Sequence, residues 1–174
     1  MTESDIIKKL SQWVDHNKFP YQLPNSFIYQ WECDYWAMTA NGETREFEIK
    51  TTRADYFNDA KKDKHKQCNG ANYFYYVVPK GLITKDEVDA KYGLIYIWDT
   101  EYVEIVKKPR RLHDVKFDNW KMLCNKMYGR FKQLWRQKWI DKEITRDKYY
   151  EGFNIDLEKE FFEKDLVNPE CLLP

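Results

Sequence analysis

An α/β sandwich, a mixed sheet flanked by helices and followed by a helical extension, is the fold that this 174-residue chain predicts. Three observations carry it. Helical periodicity opens the chain. Strand-like runs, interrupted by helical segments, fill residues 27–106. Helical periodicity then returns from residue 117 onward. A basic stretch, Lys107-Lys108-Pro109-Arg110-Arg111, divides a core of residues 1–111 from an extension of residues 112–174 that is expected to pack on it.

Thr2 and Asp5 stand at capping-box spacing, and Ile6, Ile7, Leu10, Trp13 and Val14 recur with helical period. The first element is therefore an amphipathic helix ending near Asn17, before Pro20 and Pro24. Glu3 lies in its first turn, on the face of Ile7, Leu10 and Val14, where the helix dipole alone favours an acid. Phe27 to Met38 and Glu43 to Thr51 read as the two strands of a hairpin. Thr52-Arg53-Ala54-Asp55 repeats the capping-box spacing and opens a helix to about Gln67, with Asp55, Asp59, Lys62 and Lys66 on one face. Asn72 to Val78, closed by Pro79, is a buried strand. A short helix from Thr84 to Ala90 precedes two more strands, Leu94 to Trp98 and Tyr102 to Val106. Phe117, Trp120, Leu123, Met127, Phe131, Leu134 and Trp135 then make Asp118 to about Lys142 a long amphipathic helix, and a short acidic helix spans Asp156 to Leu166. This tail either covers the sheet, adds a basic wall to a nucleic-acid groove, or serves as a homodimer contact.

Composition narrows the classes. With 7 Trp, 13 Tyr and 10 Phe the core is expected to be aromatic. No apolar run is long enough to cross a bilayer and no leader precedes the first helix, so a soluble, cytoplasmic protein with no membrane partner is expected. Four cysteines without a Cys-x-x-Cys pair read as free thiols rather than a zinc site. The net charge of zero hides a segregation. Residues 61–150 hold 21 basic and 12 acidic side chains, between acidic segments on either side. A polyanion senses such local potential rather than the total, although charge at this density is also ordinary solvated surface.

The hairpin concentrates the chemistry. Side chains alternate along a strand, so Glu48 and Lys50 leave one face while Ile49 leaves the other. A two-residue loop of Asn41-Gly42 would set Asp34 opposite Ile49, away from them. A three-residue loop of Ala40-Asn41-Gly42, with Gly42 left-handed, would pair Thr39 with Glu43 and set Asp34 opposite Glu48. Two facing carboxylates repel unless a cation lies between them. Local sequence leaves both loops open, and with them the reading of the triad as a surface ion pair without chemistry.

Asp34, followed fourteen residues later by Glu48-Ile49-Lys50, resembles the PD-(D/E)xK nuclease signature, with Cys33 where a proline often stands. The run from Glu48 to Lys66 is similar to the MmcB-type branch of that superfamily, which is associated with DNA repair and also occurs in phage-like proteins. In that branch the lysine is followed by residues corresponding here to Thr51, Thr52, Arg53, Asp55, Tyr56, Asp59 and Lys61. The resemblance covers residues 1–110 and implies a restriction-endonuclease-like αβββαβ sandwich. It implies a metal-dependent DNA endonuclease in which Asp34, Glu48 and the Ile49 carbonyl hold Mg²⁺ or Mn²⁺. Lys50 would orient or deprotonate the attacking water or stabilise charge on the phosphate, and Glu3 would complete the site. Arg53, Lys61, Lys62, Lys64, His65 and Lys66 would then grip the phosphates of DNA, whether nicked, branched or single-stranded. A nucleic-acid-binding module without turnover and a phage-type interaction protein are the alternatives on the same fold.

Overall fold

The computed structural model describes residues 1–59 and 70–140. Its elements are α1 (Glu3–Trp13), β1 (Tyr21–Phe27), β2 (Glu32–Met38), β3 (Thr44–Ile49), α2 (Arg53–Asp59), β4 (Tyr73–Pro79), β5 (Gly93–Ile97), β6 (Val103–Lys107) and α3 (Trp120–Ile140). The six strands form one mixed sheet in sequence order, β3, β4 and β5 parallel and the other neighbours antiparallel. The expected continuation of α2 to Gln67 and the acidic helix over 156–166 lie outside the described residues.

Helix α1 begins with the expected capping box: Asp5 N–H donates to Thr2 Oγ1 at 3.2 Å, and Thr2 N–H to Asp5 Oδ2 at 2.8 Å. It ends at Trp13 rather than near Asn17, because Val14 turns to an extended conformation. Its residues Ile6 and Leu10, with Val14 just beyond its end, bury against one face of the sheet, where Tyr35, Ala37, Phe47, Ile49, Val77, Ile95 and Ile97 meet them. On other clusters, Tyr56 of α2 packs with Phe74, Tyr76, Val78 and Leu94, and Trp36 and Met38 pack with Leu23 and Leu123. The core is aromatic as expected. Phe47 stacks on Tyr75 with ring centroids 5.3 Å apart, and Trp36 meets Phe117 edge-on at 5.4 Å.

Three expected elements are corrected. Tyr21–Phe27 is a strand of its own, preceding the hairpin, although Pro24 lies inside it. The strand is at the sheet's edge, where a missing N–H breaks no ladder bond, and Asn25 at φ +43 interrupts the pairing. Thr84 to Ala90 is a series of turns and not a helix. The Glu87 carboxylate takes the Thr84 N–H at 2.7 Å, and Lys107 Nζ draws in the carbonyls of Lys85, Val88 and Asp89 at 3.3, 2.6 and 3.0 Å. Those carbonyls face an ammonium in place of helical amides. The compact first unit runs to Cys124 rather than to residue 111, and a second begins at Asn125. The segment after the basic stretch belongs to the first unit through hydrogen bonds: Leu112 N–H to the Asn72 carbonyl and Phe117 N–H to the Gly42 carbonyl, each 2.9 Å. In the second unit α3 continues to Ile140, with Phe131 and Trp135 in edge contact.

The hairpin between β2 and β3 closes with the three-residue loop. Thr39 N–H donates to the Glu43 carbonyl at 2.9 Å, Gly42 N–H to the Thr39 carbonyl at 3.0 Å, and Gly42 has φ +84. A Cβ on Gly42 would lie 2.8 Å from the Phe117 carbonyl oxygen, whereas one on Gly81, at φ +79, would meet open space. Gly81→Ala is therefore expected to lose about 1 kcal/mol through its backbone conformation alone, and Gly42→Ala about 2–3 kcal/mol. Urea unfolding of the two variants measures the difference, and equal losses would show that the approach to Phe117 carries no weight.

Candidate active site where the hairpin opens

The register pairs Tyr35 with Phe47, Trp36 with Glu46, Ala37 with Arg45 and Met38 with Thr44, so Asp34 stands opposite Glu48. The bonding alternation that begins at Thr39 and Glu43 would next join the Ile49 N–H to the Cys33 carbonyl. Instead, Asp34 Oδ2 accepts that N–H at 2.7 Å. A side chain thus replaces a ladder carbonyl, and β2 parts from β3 at this point. On its other edge β3 stays held: Glu48 is beside Tyr76 in the parallel ladder, and Lys50 N–H donates to the Val77 carbonyl at 3.0 Å. Asp34, Glu48 and Lys50 are brought together where one strand leaves and the other is fixed.

Lys50 lies in a cluster of carboxylates. Its Nζ donates to Glu48 Oε1 at 2.8 Å and is 3.7 Å from Asp59 Oδ1 and 3.9 Å from Asp55 Oδ2. Glu48 is 3% exposed, Lys50 6% and Asp59 0%. Tyr76 Oη donates to Asp59 Oδ2 at 3.4 Å. Glu46, also buried, accepts the Trp31 indole N–H at 2.8 Å.

The charges respond to this crowding. Burial first, and then the Glu48 charge, push the Asp34 carboxyl up to about 7, against the opposing pull of the Ile49 N–H and Lys50, and Glu3 adds a further upward push. Burial works against the charge on Lys50. The Glu48 charge and hydrogen bond, then Asp59 and Asp55, outweigh it and raise the amine above its ordinary value. Lys50 is therefore an ammonium at neutral pH. Burial, reinforced by Glu46 and Glu48, pushes the Cys33 thiol up, so it is a buried neutral thiol and no nucleophile.

The remaining expected residues divide. Glu3, exposed in the first turn of α1, acts on Asp34 only at a distance. Arg53, expected at a phosphate, is turned to Glu87 and to the Leu82 carbonyl at 2.8 Å, with its guanidinium over the Phe57 ring. Lys61, Lys62, Lys64, His65 and Lys66 lie outside the described residues. Asp59 was legible only as part of the motif after Lys50; its contact with the lysine depends on how α2 packs.

Asp34 and Glu48, with the carbonyl of Ile49 next to Glu48 in sequence, are the donors available to a metal. They are hard oxygens of the kind that suits Mg²⁺ or Mn²⁺, and a cation between them would relieve the repulsion that raises Asp34. Among the described residues no group of three or more His, Cys, Asp or Glu side chains is placed to hold a metal ion, so protein carboxylates would supply only part of such a shell.

The raised carboxyl has a consequence for stability. In an unfolded chain an aspartate titrates near pH 4, whereas Asp34 in the folded protein keeps its proton to about 7. Between those values the folded state binds more protons, so this residue's contribution to stability falls as pH rises from about 4 to about 7 and is constant above. Asp34→Asn removes the titration and retains an acceptor for the Ile49 N–H. In chelator, the variant is expected to exceed the parent at pH 8 by on the order of 2 kcal/mol, the position being partly open to water, and to match it near pH 4.5. Thermal denaturation across that range measures the gap; a gap independent of pH would contradict the assignment.

No family model matches the chain, and no curated protein does. It is similar to the solved structure of a protein of unknown function from Silicibacter pomeroyi, with a TM-score of 0.60 and 18% sequence identity over 83% of this chain and 96% of that one. At that identity the likeness concerns the fold alone, a mixed α/β architecture.

Proposed function

We propose that the protein is a metal-dependent DNA endonuclease of DNA-repair or phage type, with a restriction-endonuclease-like core and a PD-(D/E)xK site. The observation that supports this most is the hairpin register, with Asp34 opposite Glu48 and the Lys50 ammonium 2.8 Å from Glu48. Asp34, Glu48 and the Ile49 carbonyl would hold Mg²⁺ or Mn²⁺, which when bound offsets charge on the phosphate and makes its water easier to deprotonate. Lys50, charged at neutral pH, suits the task of donating hydrogen bonds to oxygens of the phosphate that gain charge, and not that of a base. Asp34 Oδ2 is oriented by the Ile49 N–H, which fixes the side chain before any ligand arrives. The basic residues 61–66 supply the charge for holding the DNA backbone.

One observation favours a second reading, a nucleic-acid-binding module without turnover. The Lys50 amine is already engaged by carboxylates. Supercoiled plasmid separates the two. The nuclease is expected to nick it with Mn²⁺ or Mg²⁺ and to stop in chelator. Lys50→Ala leaves buried carboxylates uncompensated, so Lys50→Arg, which keeps the charge, is the cleaner variant. It is expected to fold, to bind DNA in a salt-sensitive way and to nick at least about 100-fold more slowly. A wild-type chain that binds the plasmid and never nicks it with either ion would establish the module instead.

A further inference from the structure

Asp59 is an acid whose burial no local rule requires. It is the last described residue of α2, its side chain is fully buried, Oδ1 lies 3.7 Å from Lys50 Nζ, and Oδ2 accepts the Tyr76 hydroxyl at 3.4 Å. Tyr76 is on β4, directly beside Glu48 in the parallel ladder. Burial, then the Asp59 charge, hold the Tyr76 phenol well above its ordinary range, so it remains a donor. The four residues are linked in turn: Glu48 holds Lys50, Lys50 faces Asp59, Asp59 holds Tyr76, and Tyr76 borders Glu48.

A lysine has four rotatable bonds and a compact charge, so one ion pair leaves its amine free to swing about its partner. A second carboxylate within ion-pair distance, itself held by a hydroxyl, removes that freedom. An asparagine would accept the same hydrogen bond from Tyr76 with less desolvation, so that contact does not need the charge, whereas the contact with Lys50 does. We propose that Asp59 is a positioning residue, which through its charge fixes the Lys50 ammonium beside Glu48 and is itself fixed by Tyr76.

The catalytic consequence rests on the nuclease reading above; the placement of the amine does not. Asp59→Asn keeps the size of the side chain and an acceptor for Tyr76 and removes the charge. In protein labelled with ¹⁵N-lysine, the Lys50 ammonium resonance, sharp in the wild type because its protons are held, is expected to broaden or vanish in Asp59→Asn. In Mn²⁺-dependent plasmid nicking, kcat is expected to fall roughly 10- to 100-fold with KM for DNA within about twofold, the pattern of a misplaced group rather than lost binding. Tyr76→Phe removes only the hydroxyl that holds Asp59 and carries the same expectation to a smaller degree; it decides the matter if Asp59→Asn does not fold. An ammonium resonance unchanged in the variant overturns the proposal, and so does a resonance lost with kcat intact. A wild-type chain that never cleaves DNA overturns the nuclease reading alone, and the resonance still decides the role of Asp59.

Discussion

The ammonium of Lys50 is the charge on which the acidic face of the sheet depends. Glu48 and Asp59 are buried, and isolated buried carboxylates are among the costliest groups a protein can carry. Lys50 stands within ion-pair distance of both and of Asp55. Among the described residues, Asp34, Glu48, Asp55 and Asp59 place four carboxylates around that one amine. Burial first, and then the Glu48 charge, hold the Asp34 proton to about pH 7.

The geometry that crowds these groups is set some distance away. Because the strand period is two, a register slip of one residue would move Asp34 to the opposite face. The register is fixed at Gly42, whose left-handed backbone closes the loop and whose carbonyl receives the Phe117 N–H. At the other end of the same hairpin the ladder is broken by a side chain: Asp34 takes the Ile49 amide that the Cys33 carbonyl would otherwise receive. The antiparallel pair opens while the parallel pair with β4 holds, and the gap between them is where Asp34, Glu48 and Lys50 meet. The loop chemistry and the site are thus two ends of one constraint.

What could be read from sequence follows from how local each feature is. The α1 capping box and the alternation of Glu48, Ile49 and Lys50 are properties of a few adjacent residues, and the structure has them, while the three-residue loop is one of the two that the local sequence left open. Features decided by distant partners were hidden. Pro24 reads as a break until β1 is known to be an edge strand, and Thr84 to Ala90 reads as a helix until Lys107, on β6, claims its carbonyls. Arg53 reads as a phosphate ligand until Glu87, thirty-four residues on, is found against it. The basic stretch reads as a linker, yet the residues after it are tied back to Asn72 and Gly42 by backbone hydrogen bonds. In each case local pattern gave the residue's chemistry and tertiary packing gave its partner.

Stability alone does not explain the charged cluster. Buried ion pairs replaced by well-packed apolar side chains are often neutral or stabilising, and the neighbouring core shows that aromatic packing was available here. Tyr56 and Tyr76 meet edge-on at 4.9 Å, and Phe74 meets Tyr92 at the same distance, immediately beside Asp59 and Glu48. More rings in place of Glu48, Lys50 and Asp59 would satisfy the fold without desolvating three charges. The charges instead occupy the place where the sheet opens, on strands held firmly from the other side. Charges held rigidly at an opening of the sheet cost a fold desolvation and suit preorganised chemistry, and on that ground the proposed site is put at the hairpin's mouth.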